Sequence, residues 1–245
     1  MDTIRIDANQ VKMVAHRGLS GIERENTCPA FVAAGNRSYF GIETDVRVTK
    51  DGKFVLLHDA TTKRVTDGAV DVSVAENEFS AVKDILLPDK DGSTDRRDIR
   101  IPQLKEYVRI CKKYGKICVL EVKEPFADAD LTRMVDEITA LGYIEGVIFI
   151  AFDYGICTAL RALLPPSTIQ WLTQNKENEL NEEKAKALAE NRLDVDVYYK
   201  NLRKETVDML HAYGIKINCW TCDDKETAER LVEMGVDFIT TNILE

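Results

Sequence analysis

Two of the three histidines in this 245-residue chain, His16 and His58, end short apolar runs in its first quarter. Imidazole titrates near neutrality, so such a pair can both take and give protons at physiological pH. Charged residues collect on the same kind of segment. In Ile42-Glu43-Thr44-Asp45-Val46-Arg47-Val48 the apolar parity is Ile42, Val46 and Val48. Glu43, Asp45 and Arg47 therefore share the other face of a strand. An irregular strand would instead turn this carboxylate pair to the surface. Further on, Cys118, Leu120 and Val122 form one face, whereas Ile117 and Val119 lie beneath Glu121 and Lys123 on the other. The remaining histidine, His211, lies on a helical segment near Tyr213 and reads as a solvated or capping residue.

The elements that must position these groups follow from alternation. β-branched runs at 13–15, 41–48, 117–122, 147–151, 168–172, 195–199, 215–220 and 238–241 alternate with helix-like segments, which predicts βα units and eight strands. Gly115, Gly142, Gly214 and Gly235 stand where helices should end. Lys50-Asp51-Gly52-Lys53 reads as a hairpin turn, and the charged stretch from about Ala60 to Arg100 as an insertion after the second strand region. Too few residues follow the last strand for an eighth outer helix, so the segment from Met1 to Val11 is expected to close the bottom. The fold class is a (β/α)8 barrel with a small insertion, residues 1–245 forming one domain. In such a barrel one strand parity faces the helices and the other the lumen. Active sites occupy the C-terminal strand ends, where Glu121, Lys123 and His16 lie.

Composition narrows the partners. A hydrophobic share of 44% with 31% charged residues suits an ordinary globular protein able to bury a large core. The net charge of -9, with no basic tract, excludes nucleic acid and an anionic membrane as expected partners. A small anionic ligand would need a local cation. The first ten residues do not form a signal peptide and no apolar run reaches membrane-spanning length, so a cytoplasmic location is expected. The six cysteines lie scattered in apolar segments, as buried reduced thiols would. Cys219-Trp220-Thr221-Cys222 lacks the second pair of a zinc site and the helix start of a thioredoxin-like motif.

Val14-Ala15-His16-Arg17-Gly18, Glu25-Asn26-Thr27, Gly41-Ile42-Glu43-Thr44-Asp45-Val46 and His58-Asp59, in this order and spacing, resemble the signature of the glycerophosphodiester phosphodiesterase family. Glu121-Val122-Lys123, Trp220-Thr221 and 235–241 are similar to later family blocks. The resemblance is tightest over 13–68 and loose over 128–200. It implies a (β/α)8 barrel and a metal-dependent hydrolysis of glycerophosphodiesters to glycerol 3-phosphate and an alcohol. It assigns His16 and His58 to acid/base catalysis, Glu43, Asp45 and Glu121 to the metal, and Arg17 and Lys123 to the phosphate. Two departures stand out: Arg24 where the family commonly has proline, and Asn242 where it commonly has aspartate after threonine.

Three carboxylates without histidine or thiolate form a hard oxygen site, so the expected cofactor is one divalent cation, Mg²⁺ or Ca²⁺. Trp220 shares parity with Asn218 and is expected as an apolar wall against glycerol, with core packing as the alternative. Glu25 and Asn26 are expected to open the first helix after a flexible Gly18–Gly21 loop, contacting substrate or His16, or acting only as caps. A lysophospholipase D-like or sphingomyelinase D-like enzyme is the nearest rival, but no exposed apolar or basic lid is evident. A non-catalytic phosphoester-binding barrel would have lost one of these side chains, and all are present. The stretch from Ala60 to Arg100 carries no motif that reads the headgroup.

Overall fold

The computed structural model describes residues 2–123 and 126–245. Its strands are β1 (Lys12–Ala15), β2 (Gly41–Val48), β3 (Phe54–Leu56), β4 (Ile117–Val122), β5 (Val147–Ala151), β6 (Thr168–Thr173), β7 (Asp194–Tyr198), β8 (Ile217–Trp220) and β9 (Phe238–Thr241). Parallel pairing runs from β1 through β2 and β4 to β9 and closes where β9 meets β1. The fold is a (β/α)8 barrel with one extra strand, β3, which returns antiparallel to β2 through the turn at 49–53. Its helices are α1 (Cys28–Gly35), α2 (Leu104–Tyr114), α3 (Asp128–Ala140), α4 (Tyr154–Leu163), α5 (Glu182–Glu190), α6 (Lys204–Ala212) and α7 (Lys225–Met234).

Local chemistry sets these boundaries. In α2 the buried Leu104, Tyr107, Val108 and Cys111 recur at helical spacing. The Glu106 carboxylate accepts the Gln103 backbone N–H at 2.8 Å, and Gly115 ends the helix at φ 64°. Asp153, Asn181 and Asp224 cap α4, α5 and α7 with their side chains.

Strand parity separates two apolar layers. Ile42, Val46, Cys118, Leu120 and Val122 pack outward against the helices, while Val14, Val119, Ile148, Ile150, Leu172 and Phe238 fill the lumen. The lumen is thus packed, with the buried Gln170, Asp196 and Asn218 set among these apolar side chains. Residues 57–103 form the insertion, which has its own apolar cluster around Val65, Val74, Val82 and Leu87. It is fastened to the β1–α1 loop by Arg24 on the Val65 carbonyl (2.7 Å), Lys90 on the Ser20 carbonyl (2.7 Å) and Arg96 on Glu23 (3.0 Å).

Among the described residues no helix follows β9. Residues 243–245 instead pair with the N-terminal segment, through the Ile4–Leu244 bridge and the Ile6 N–H on the Glu245 carbonyl at 2.8 Å. This buries Leu244 in the outer layer, with Ile6, Ala8 and Val11 against it. The segment expected to close the bottom is seen pairing with the C-terminal residues and packing on the outer apolar layer.

Candidate active site

β2 presents Glu43 and Asp45 to the lumen, and Glu121 lies in register with Asp45 on β4. One oxygen from each of the three carboxylates lies within 4.8 Å of the others, and all three side chains are buried. Burial, then Asp45 and Glu121, push the Glu43 carboxyl well above its usual range. Burial and Asp45 likewise raise Glu121 to about 7. For Asp45, burial acts upward but Lys123 and Arg17 outweigh it and hold the group well below the carboxylate range. Lys123 Nζ stands 2.6 Å from Glu121 and 3.1 Å from Asp45. Three crowded acids with no nitrogen or sulfur donor among them fit a hard dication, whose charge would offset their repulsion.

The β1–α1 loop holds this cluster in place. The Arg17 backbone N–H donates to Glu43 at 2.8 Å and its Nε lies 3.5 Å from Asp45. Asn26, buried and at φ 54°, donates its amide to Asp45 and accepts the Thr44 hydroxyl, both at 2.7 Å. With this left-handed backbone Asn26 cannot belong to the helix. Thr27 is the cap, and α1 begins at Cys28. The Gly18–Gly21 stretch is packed rather than flexible: a Cβ at Gly18 would lie 2.7 Å from Ala30, and one at Gly21 2.6 Å from the Asn242 carbonyl. Both glycines are there for close approach. Glu25 accepts from Arg17 at 2.9 Å and Arg64 at 2.8 Å. It lines a cleft adjoining the main cavity, with Lys90 and Asp223.

Both imidazoles are tethered through Nδ1. His16 Nδ1 lies 2.7 Å from the Asn242 side-chain oxygen. That amide is oriented by the Ser20 hydroxyl, which donates to its oxygen, and by Asp223, which accepts from its nitrogen. The amide oxygen can only accept, so in neutral His16 the proton sits on Nδ1 and Nε2, 4.0 Å from Glu43, is bare. His58 Nδ1 meets Asp59 at 2.7 Å, Asp59 is held by Arg64 at 2.6 Å, and Arg47 donates to the Leu57 and His58 carbonyls at 3.1 Å. Burial, then Arg17, lowers His16 to about 4. Burial lowers His58 as well, against the pull of Asp45.

A cavity of about 300 Å³ joins these groups: His16, His58, Arg17, Glu43, Glu121 and Lys123 form its charged half. Ile150, Phe152, Leu172 and Trp220 form the apolar half. Trp220 is lumen-facing, with its ring 5.8 Å from Phe152 and 5.4 Å from Tyr198. Asp45 supports this cavity from behind rather than lining it, as does Asn26. Asp196, which also lines the cavity, and the Asp59–Arg64 pair behind His58 were not among the expected site residues. Asp196 was reachable by parity, since Val195 and Val197 flank it.

A model of the glycerophosphoryl diester phosphodiesterase family matches residues 16–245. The chain belongs to that family. A glycerophosphodiester phosphodiesterase from Caldanaerobacter subterraneus is 30% identical over 235 residues, 94% of this chain and 93% of its own length. One from Thermotoga maritima, of known structure, is 28% identical at a TM-score of 0.73, over 95% of this chain and 94% of its own. An Oleispira antarctica phosphodiesterase in complex with sn-glycerol-3-phosphate shares the fold, at a TM-score of 0.78 and 22% identity over 94% of this chain and 92% of that one. Among the described residues no helix is long and apolar enough to cross a membrane.

Proposed function

We propose that this family member hydrolyses glycerophosphodiesters to glycerol 3-phosphate and an alcohol, with a divalent cation on Glu43, Asp45 and Glu121 and proton transfer by His16 and His58. The observation that carries this reading is the convergence of both imidazoles, two acids of the cluster, Arg17 and Lys123 on one cavity.

A phosphodiester is an anion with poor leaving groups, so its hydrolysis needs charge neutralisation, an activated nucleophile and a proton for the departing oxygen. Mg²⁺ or Ca²⁺, the dications that an all-carboxylate donor set favours, supplies Lewis-acid neutralisation of the phosphate when bound. Arg17 and Lys123 add a cationic clamp from the same wall. His16, neutral with Nε2 bare, suits the base. His58, backed by the Asp59 carboxylate, stabilises its imidazolium better and suits the acid that protonates the leaving oxygen. Residues 1–245 act in this reading as one barrel domain, its insertion supplying His58 and bracing it.

The test is a panel of glycerophosphocholine, glycerophosphoethanolamine and glycerophosphoglycerol with coupled detection of glycerol 3-phosphate. Release in Mg²⁺ or Ca²⁺ and its loss in chelator are expected. Turnover unchanged by chelator would remove the cation from the reading, and no release from any diester would remove the activity.

A further inference from the structure

Asp196 projects from the middle of β7 into the same cavity, yet among the described residues no side chain engages its carboxyl. The residue is 1% exposed, and among the described residues its Oδ1 has no hydrogen-bond partner. A buried carboxyl left in this state costs stability unless a ligand meets it. The neighbouring polar groups turn to one another, with Gln170 Nε2 likewise left without a partner among the described residues. Asn218, its register partner on β8, accepts the Thr240 hydroxyl at 3.1 Å and donates to Gln170 at 3.3 Å. The Asp196 carboxyl is thus presented to the cavity rather than to the barrel, beside the Trp220 ring, whose Nε1 lies 3.4 Å from the Asp196 backbone carbonyl.

We propose that Asp196 reads the glycerol arm of the substrate, hydrogen-bonding a glycerol hydroxyl while Trp220 and Phe152 cover the carbon chain. The inference rests on the proposed phosphodiesterase activity and adds a specificity-determining residue to it. Three features select a polyol over a cationic headgroup. The cavity ends at Ile150 and Leu172 in the packed lumen, so it accepts the small arm common to all glycerophosphodiesters. With a dication held by Glu43, Asp45 and Glu121, the half of the cavity that Arg17 and Lys123 also line would be net positive and would repel a substrate ammonium ion in a low dielectric. Burial, then Glu121, also pushes the Asp196 carboxyl well above its usual range. In its neutral form it both donates and accepts, as a hydroxyl partner should.

The experiment uses full-length Asp196→Leu and Asp196→Asn proteins loaded with Mg²⁺ or Ca²⁺. Removing a partnerless carboxyl should leave the thermal midpoint of Asp196→Leu equal to or above the wild type. Binding of sn-glycerol 3-phosphate by calorimetry should weaken about 10- to 100-fold, while inorganic phosphate binds as before. KM for the choline, ethanolamine and glycerol diesters should rise by a similar factor for all three. Asp196→Asn, which keeps the shape, should fall between. Equal weakening of inorganic phosphate would mean that Asp196 shapes the whole cavity, and no weakening of either ligand would mean that it is idle. Both outcomes overturn the proposal, as does a KM rise confined to the choline and ethanolamine diesters. A wild type that releases no glycerol 3-phosphate from any diester fails at the prior reading of activity, which is distinguishable from normal turnover unaffected by Asp196 substitution.

Discussion

Asn26 reaches Asp45 with its amide nitrogen and takes the Thr44 hydroxyl on its oxygen, so alanine there would remove one of the contacts that, with Lys123 and Arg17, orient Asp45 toward Glu43 and Glu121. Loss of such an outer contact typically costs about 10- to 100-fold in metal affinity, and Asn26→Ala should show this by Ca²⁺ or Mg²⁺ titration calorimetry. Unchanged affinity would reduce Asn26 to a loop-shaping residue. His58→Asn should lower kcat by about 10²- to 10⁴-fold while glycerol 3-phosphate still binds; a wild-type rate would end its proton-transfer role. Glu43, Asp45, Glu121 and Lys123 were legible because alternation in a barrel strand tells lumen from helix layer. Asn26 was only half legible. Its neighbours gave no sign of a left-handed backbone, and its partner lies on β2, joined to it only by folding.

At the scale of elements, Arg64 of the insertion links Asp59, and through it His58, to Glu25 of the β1–α1 loop. Burial would raise Glu25, but Arg64 and Arg17 hold it at about 2, and Asp59 stands at about 2 for similar reasons. Both lie below their ordinary values of 4.5 and 3.8. A depressed carboxylate stabilises the fold above its unfolded pKa and loses that contribution as pH falls toward the folded one. Arg64→Leu should therefore lower stability at pH 7 by about 1 kcal/mol, the pairs being partly exposed. In urea titrations the gap should close between about pH 4.5 and pH 2, and a gap independent of pH would assign the loss to packing. The strand and helix elements were legible from periodicity and glycine caps. The insertion was visible only as an irregular charged stretch, because contacts such as Arg64 with Glu25 and Lys90 with Ser20 span long sequence distances and leave no local pattern.

For the whole molecule, the barrel closes around a cluster that is unfavourable without a cation. Glu43 and Glu121 are both raised, Glu121 to about 7 from 4.5, so ionising them costs more in the folded than in the unfolded chain. Without metal, the Glu121 share of that penalty is absent below about pH 4.5 and complete above about pH 7. A bound dication reverses the sign, since it favours the ionised acids and binds only the folded ring that assembles them from β2 and β4. The gap in thermal midpoint between cation-loaded and chelated protein should thus widen from pH 5 to pH 8. At a hundredfold excess over Kd the linkage is about 2.7 kcal/mol, or roughly 5–11 °C for a chain of this size. Glu43→Gln separates the two contributions. With one acid neutralised, the chelated variant should melt at or above the chelated wild type and respond weakly to Ca²⁺ or Mg²⁺. A wild type whose midpoint ignores both chelator and cation across this range would show that the three carboxylates hold no dication, whatever their proximity.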